Sequence, residues 1–496
     1  MTIKLHNTVN NLDEVFVPIK EGQASIYTCG PTVYNYQHIG NWSAYIYWDI
    51  LVRTLLVNNF EVKRVLNITD VGHLVSDADE GEDKLEKGAK REGKSAWEIA
   101  EFYTDDFLKG FDSLNLIRPQ VIAKATDYIN EQLNLVRTLK EKGYTYQIND
   151  GIYFDTSRFS SYANFAHLDL NSLKAGARVE YNIEKKHPSD FALWKFTPKG
   201  EKRDMEWETP YDLLDAGVWD LKDENNSNRQ IMGFPGWHLE CSSIATSLLG
   251  NTIDIHTGGI DHIPIHHTNE IAQSESANGV KLSNYWLHCN HLKSNGTKIS
   301  KSLNNGYTLQ DLKDKGYSPL DFRMFVLQGH YRNEGNFTFE GLTAAKNRLK
   351  NWYNVATIRH QINNTTKSDK EKIHSEKTTL VYAFSQAIIE AVNNDLATPE
   401  ALRIVDDAFS DVLSKSLNKI HRPAFIQLLE TIDEVLGLKL IDNTPDISDE
   451  QKSIILERKQ ARKEEDWFKS DALRDRLKKQ GIIVRDTNND SIWEYA

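Results

Sequence analysis

The chain has 496 residues, more than one hydrophobic core usually supports, so roughly two to four domains are expected. Hydrophobic residues at 40% and charged residues at 26% are ordinary globular usage, which excludes a globally disordered chain. A formal charge of −12 excludes a generally basic, nucleic-acid-coating surface but leaves room for a local basic face.

Residues 1–16 carry no basic segment followed by an apolar run, and no stretch of eighteen apolar residues occurs anywhere, so the expectation is a cytoplasmic protein without a membrane span. Three cysteines, Cys29, Cys241 and Cys289, cannot build a disulfide framework in a chain of this size and are expected as free thiols or ligands.

In chain order, residues 24–28 read as a strand that runs through Cys29-Gly30-Pro31-Thr32 into an amphipathic helix over 42–57. His38-Ile39-Gly40-Asn41 lies at that strand-to-helix junction, a place suited to holding phosphate, with the His38 imidazole and the bare Gly40 backbone against the nucleotide. A second β-rich run at 62–69 suggests a parallel α/β sheet. Ser95-Ala96-Trp97-Glu98 reads as a capping box opening a helix whose core face is Ile99, Phe102, Tyr103, Phe107 and Phe111.

From about 120 to 235 the pattern loosens into polar, aromatic-rich segments, with a loop at 223–230 that has no periodicity, and strand-like runs resume at 252–256 and 285–288. The reading is one nucleotide-binding fold interrupted by an insertion. Six of the sixteen histidines fall between 256 and 291. If the segment around 266–270 is helical, His266 and Glu270 share one face. With Cys29 and Cys241 they make a set of two thiolates, one imidazole and one carboxylate that suits tetrahedral zinc. The alternative leaves both cysteines as small buried residues and the histidines near phosphate or solvent, because the cysteines do not come in the close pairs of structural zinc motifs.

Lys298-Ile299-Ser300-Lys301-Ser302, introduced by Gly296, is a basic loop whose two ammonium groups, Lys298 and Lys301, suit charge developing on a triphosphate. Alone it is equally a solvated loop, and His38-Ile39-Gly40 alone is equally a helix start. The ordered pair points to a split ATP site and adenylate-forming chemistry, with pyrophosphate leaving.

After 340 the pattern is helical, interrupted at 363–379, and 442–450 with Pro445 looks like a linker to a last small domain. Residues 451–480 hold ten Lys or Arg against six Asp or Glu, either a nucleic-acid face or a helix laced with ion pairs. The expected units are 1–120 and 236–340 as two halves of the catalytic fold, 121–235 as the insertion, 341–441 as a helical domain and 442–496 as the terminal domain.

Taken together, these segments resemble a known family, the class I aminoacyl-tRNA synthetases, and within it the cysteinyl-tRNA synthetases. The resemblance rests on Tyr27-Thr28-Cys29-Gly30-Pro31-Thr32-Val33-Tyr34 leading into His38 to Asn41, on Asn67-Ile68-Thr69-Asp70 and on Asp190-Phe191-Ala192-Leu193-Trp194-Lys195. It rests equally on Gly236-Trp237-His238-Leu239-Glu240-Cys241-Ser242, on 254–261, on 266–274 and on the 298–302 loop, and so spans nearly the whole chain.

The resemblance implies a Rossmann-like catalytic domain, ATP as substrate with Mg2+, and one Zn2+ held by Cys29, Cys241, His266 and Glu270. In that family the metal takes the thiolate of the substrate cysteine, which serine cannot imitate, and the modest insertion agrees with the absence of an editing domain. Thr69 and Asp261 match positions that hold the substrate's amino group, and Trp237 matches a pocket wall. The implied partners are tRNA(Cys), L-cysteine and ATP, and the matches at 470–477 and 481–487 imply contact with the anticodon arm through the helices and the terminal domain.

Three positions depart from the commonest pattern: Asn41 stands where histidine is usual, Ile299 replaces methionine, and Val71-Gly72-His73-Leu74 replaces an acidic run. Three other readings share parts of this pattern. A same-fold ligase joining cysteine to an amino sugar would not need the region after 340, a non-catalytic RNA-binding relative would not need the ATP and metal positions, and a general nucleotidyltransferase would not need the metal set.

Overall fold

The computed structural model describes residues 2–72, 84–167, 182–215, 230–300, 303, 305–362, 376–486 and 491–496. Lys301, His73, most of the 223–230 loop and most of the 363–379 break lie outside the described residues.

The chain opens on a hairpin, β1 (Lys4–Asn7) and β2 (Leu12–Val15), then runs β3 (Gln23–Thr28), α1 (Ile39–Val57), β4 (Glu61–Ile68), α2 (Lys84–Glu92), α3 (Ala96–Ser113), β5 (Val121–Lys124) and α4 (Ile129–Glu141). Strands β6 (Thr145–Ile148), β7 (Gly151–Phe154), β8 (Phe191–Phe196), β9 (Trp207–Glu208) and β10 (Met232–Pro235) form a separate antiparallel sheet in the order β6-β7-β8-β10-β9. The chain returns through α5 (Trp237–Leu249), β11 (Ile253–Gly259), α6 (Thr268–Asn278) and β12 (Ser283–Cys289).

The parallel sheet has the order β12-β11-β3-β4-β5. β3 steps to β4 and β5 on one side, while β11 and β12 are added on the other. The order therefore reverses between β3 and β11, where α/β sheets open a crevice at the strands' carboxyl ends. Because β5 pairs with β4 from Val65↔Val121 to Ile68↔Lys124, the sheet takes in residues beyond the expected boundary at 120. α4 packs Leu133 and Val136 into a core shared with Leu239 and Ala272 on one side and with Ile152, Phe154 and Leu193 of the second sheet on the other, and that sheet itself starts at Thr145. Four residues of strand and one amphipathic helix give no periodicity that assigns them to one sheet rather than the other.

α1 starts at Ile39 and departs from the amphipathic reading: it is buried nearly all round, from Trp42 to Leu55, because it is enclosed between the sheet and other helices. The capping box at Ser95 and Glu98 forms as read from the sequence, with Ile99, Tyr103, Phe107 and Phe111 buried beneath it. Phe102 departs from that core reading: it is 43% exposed, set edge-on to Tyr36 and Tyr103 with the Lys94 ammonium 4.8 Å above its ring. It sits on the flank of the buried stripe, where partners cover only part of its ring.

Strands β13 (Leu292–Ser294) and β14 (Thr297–Lys298), helices α7 (Leu309–Asp314) and α8 (Pro319–Leu327), and strand β15 (Gly335–Phe337) follow. Helices α9 (Phe339–Ala356), α10 (Glu376–Asn393), α11 (Thr398–Leu413) and α12 (Arg422–Leu436) form a bundle that shares its core with α1 and α8. The terminal unit is α13 (Asp449–Lys463), α14 (Trp467–Lys479) and a hairpin of β16 (Ile482–Asp486) and β17 (Ser491–Tyr495), with a small core of its own around Leu477 and Trp493. Its basic residues are partly taken up in ion pairs. Arg458 makes a two-pronged ion pair with Asp486, while Lys459, Lys463, Lys469, Lys478 and Lys479 are exposed.

Candidate active site and metal centre

A cavity of about 660 Å3 opens at the β3–β11 switch. Its lining brings together His38, Gly40 and Asn41 from the first signature with Lys298, Ile299 and Ser300 from the second. Thr69, Trp237, Asp261, Cys29, Cys241 and His266 line the same space.

His38 is the N-cap of α1: its Nδ1 accepts from the Gly40 and Asn41 amides at 3.1 and 3.3 Å, and Asn41 Oδ1 accepts from the His38 amide at 3.2 Å. Asn41 thus spends its oxygen on the cap, and its amide group retains the donors. A Cβ at Gly40 would stand 2.9 Å from the His38 ring and 3.3 Å from Ile299, so the bare backbone lets ring and loop close together. Lys298 is exposed at the end of β14, and the loop after it is tied by Asn305, which accepts from the Ser300 amide at 2.9 Å and donates to the Lys298 carbonyl at 3.2 Å.

On the opposite wall, Gly30 donates its amide to Asn67 Oδ1 at 2.8 Å, and Asn67 Nδ2 donates to Thr69 Oγ1 at 3.1 Å. Thr69 in turn donates its hydroxyl proton to Glu240. The hydroxyl therefore offers the cavity an acceptor lone pair, the polarity an ammonium group needs. Only glycine fits at position 30, where a Cβ would lie 1.5 Å from the Asn67 carbonyl oxygen. The Asp261 carboxylate folds back over Gly259, and the Trp237 ring leans on His266 with centroids 4.6 Å apart.

The four residues expected as ligands converge. The ligand atoms of Cys29, Cys241, His266 and Glu270 all lie within 4.8 Å of one another, and all four residues are buried. The local backbone makes this possible, because a single π-turn at Ile263–His267 feeds α6 and sets His266 Nε2 3.0 Å from Glu270 Oε1. Burial pushes the Cys29 thiol up to about 11, and it pushes Cys241 well above the usual thiol range. Burial works equally against the Glu270 carboxylate, yet His256 and His266 hold it well below the usual range. Two thiols, an imidazole and a carboxylate converging in this way offer the donor atoms that tetrahedral zinc takes.

A second group of the same kind among the described residues, Cys29, His256, His267 and Glu270, shares two members with the first. Its histidines do not reach the cavity lining. His256 Nε2 meets Glu270 Oε2 at 2.9 Å, and His267 Nε2 meets the Cys29 sulfur at 3.3 Å. They buttress two of the expected ligands from behind, as orienting partners do in metal centres. These histidines, Asn67 and Glu240 were not singled out from the sequence. The signal was adjacency: Asn67 and Glu240 flank Thr69 and Cys241, but a neighbouring polar residue has no periodicity to mark it.

Residues 15–347 match the family model described as tRNA synthetases class I (C) catalytic domain, and residues 444–493 match that of the cysteinyl-tRNA ligase anticodon binding domain. A cysteine–tRNA ligase of Treponema denticola is 40% identical, covering 100% of both chains. Cysteine–tRNA ligase 1 of Burkholderia lata is 40% identical over 98% of this chain and 96% of its own. Among solved structures, the methionyl-tRNA synthetase of Mycobacterium tuberculosis bound by methionyl-adenylate superposes with a TM-score of 0.54 at 15% identity, over 88% of this chain and 94% of its own. That likeness is one of fold.

Proposed function

From the premise that the chain belongs to the cysteinyl-tRNA synthetases, we propose the following reading of how it joins L-cysteine to tRNA(Cys) at the expense of ATP. The carboxylate of cysteine attacks the α-phosphate of ATP, pyrophosphate leaves, and the terminal ribose hydroxyl of the tRNA then takes the cysteinyl group from the adenylate. The observation that carries this reading is the shared cavity, which residues of both ATP signatures line together with Cys29, Cys241 and His266, while Glu270 lies buried within 4.8 Å of those three.

His38, Gly40 and Asn41 hold the triphosphate with its Mg2+ at the capped start of α1, where the helix dipole favours negative charge. Lys298 and Lys301 offset charge that grows on the phosphates as the bond to pyrophosphate breaks. Thr69 accepts from the ammonium of cysteine, Asp261 balances its charge, and Trp237 closes the wall behind it. Cys29, Cys241, His266 and Glu270 hold zinc. When bound, zinc supplies a soft electrophile that prefers a thiolate to a serine hydroxyl. Residues 236–340 act as the second half of the catalytic unit, 341–441 as a tRNA-binding bundle and 442–496 as the reader of the anticodon. A ligase with a small acceptor has no use for an anticodon-binding match at 444–493. No helix among the described residues is long and apolar enough to cross a membrane, and the cytoplasm, where tRNA is charged, is the proposed location.

The test is charging of total tRNA with labelled cysteine and ATP, with serine as competitor. Cysteine-specific charging is expected. In K301A, slowed pyrophosphate exchange with cysteine binding retained is expected, and an unchanged exchange rate would remove Lys301 from the reading.

A further inference from the structure

Tyr27 lies two residues before Cys29 on β3 and has no part in the reading above. Strand alternation puts Ile26 into the large core on one face of the sheet, and Tyr27 with Cys29 onto the other. On that face α5 packs, and Tyr27 joins Cys29, Cys241 and Ile244 in one cluster. The Tyr27 ring is fully buried and tilted against His256, with centroids 5.1 Å apart.

The Tyr27 hydroxyl is buried and meets no partner at good hydrogen-bond geometry among the described residues. Native interiors seldom leave such a donor unused, because its lost hydration is not replaced. Cys241 stands in the same buried cluster on this face of the sheet, brought there by α5. A neutral thiol is a weak acceptor, whereas a metal-held thiolate is a charged and much better one.

We propose that Tyr27 is a positioning residue that donates its O–H to Cys241 Sγ when Cys241 serves as a metal-bound thiolate, drawing electron density from that ligand. The inference rests on the zinc set proposed above and deepens it. Tyr27 then keeps the bound metal electrophilic toward the substrate thiolate, the property on which discrimination against serine depends. It also accounts for a hydroxyl that lacks a partner while the thiol is neutral.

The test compares wild type, Y27F and C241S, each loaded with cobalt(II) and, separately, titrated with zinc against a chromophoric chelator. In Y27F the sulfur-to-cobalt charge-transfer band is expected to move to lower energy, and zinc affinity to fall roughly tenfold or more. The Tm of metal-free Y27F is expected to stay level or rise, since the group removed has no partner there. A merely structural tyrosine would lower that Tm and leave the band in place. Identical bands and zinc affinity in Y27F overturn the proposal while leaving the metal set intact. If wild type gives no such band, or C241S does not alter it, the metal reading itself fails, and the proposal with it. Should Y27F not fold, zinc added to wild type is expected to give a red-shifted tyrosine difference band that C241S lacks, and its absence overturns the proposal.

Discussion

Asp49, on the helix that His38 caps, is buried against Arg323 of α8, with a carboxylate oxygen 2.5 Å from a guanidinium nitrogen and neither side chain exposed. Arg53 holds the same carboxylate at 2.7 Å. Both guanidinium groups donate onward to the last carbonyls of α12, Arg53 to those of Asp433 and Glu434 and Arg323 to that of Leu436. The helix that starts at the cavity is thereby fixed, through its middle and last turns, to the helical bundle. Gly437, at φ +65°, makes the joint possible, since a Cβ there would lie 2.6 Å from Arg323.

D49A leaves two buried guanidinium groups without their counter-charge and is expected to cost about 3–5 kcal/mol in denaturant unfolding. Burial pushes the Asp49 carboxyl up, but Arg53 and Arg323 prevail and hold it at about 2. A folded-state value below the unfolded one means that the carboxylate's contribution is full above about pH 4 and is lost as pH falls toward 2. D49N is expected to flatten the acid limb over that window. A limb unchanged in D49N would place acid sensitivity elsewhere.

The two uses of His38 can be separated. H38A removes the α1 cap and the ring together, so both a loss of about 1 kcal/mol in stability and slow cysteine-dependent pyrophosphate exchange are expected. H38N restores a strong capping residue and should recover the stability without the exchange rate. Full recovery of the rate in H38N would reduce the ring to a cap.

Burial raises the Asp70 carboxyl to about 6 despite hydrogen bonds donated by Thr126. A carboxyl raised in the folded state adds most stability below its unfolded value and loses it as pH rises through the folded one, so the cost of ionising Asp70 builds between about pH 4 and 6. D70N is expected to gain stability relative to wild type across that window, by roughly 3 kcal/mol at neutral pH. Parallel stability curves for the two proteins from pH 4 to 7 would contradict this.

Chelation of the purified protein is expected to weaken cysteine binding by roughly tenfold or more while leaving ATP binding near its starting value, because His38 and Lys298 are not among the four candidate ligands. Zinc should restore cysteine binding and raise the Tm, as any ligand specific to the folded state does. Isothermal titration with each substrate, before and after chelation, measures both.

The sequence by itself determined the elements whose cause is local. The β3–α1 junction, the capping box at Ser95 and the i, i+4 pairing of His266 with Glu270 follow from neighbours a few residues apart. The order of the two segments at 38–41 and 298–302 was equally legible, because each is a short run of fixed chemistry. Only the tertiary structure decided that β5 joins the parallel sheet, that Phe102 leaves the core, and that Glu240, Asn67 and Tyr27 stand around the site. It also decided that His256 and His267 back the ligands rather than face the cavity, and that Arg53 and Arg323 find the end of α12. The physical reason is range: periodicity and capping act through backbone geometry over one or two turns. The partner of a buried polar group is instead chosen by whichever distant element packing brings within hydrogen-bond reach.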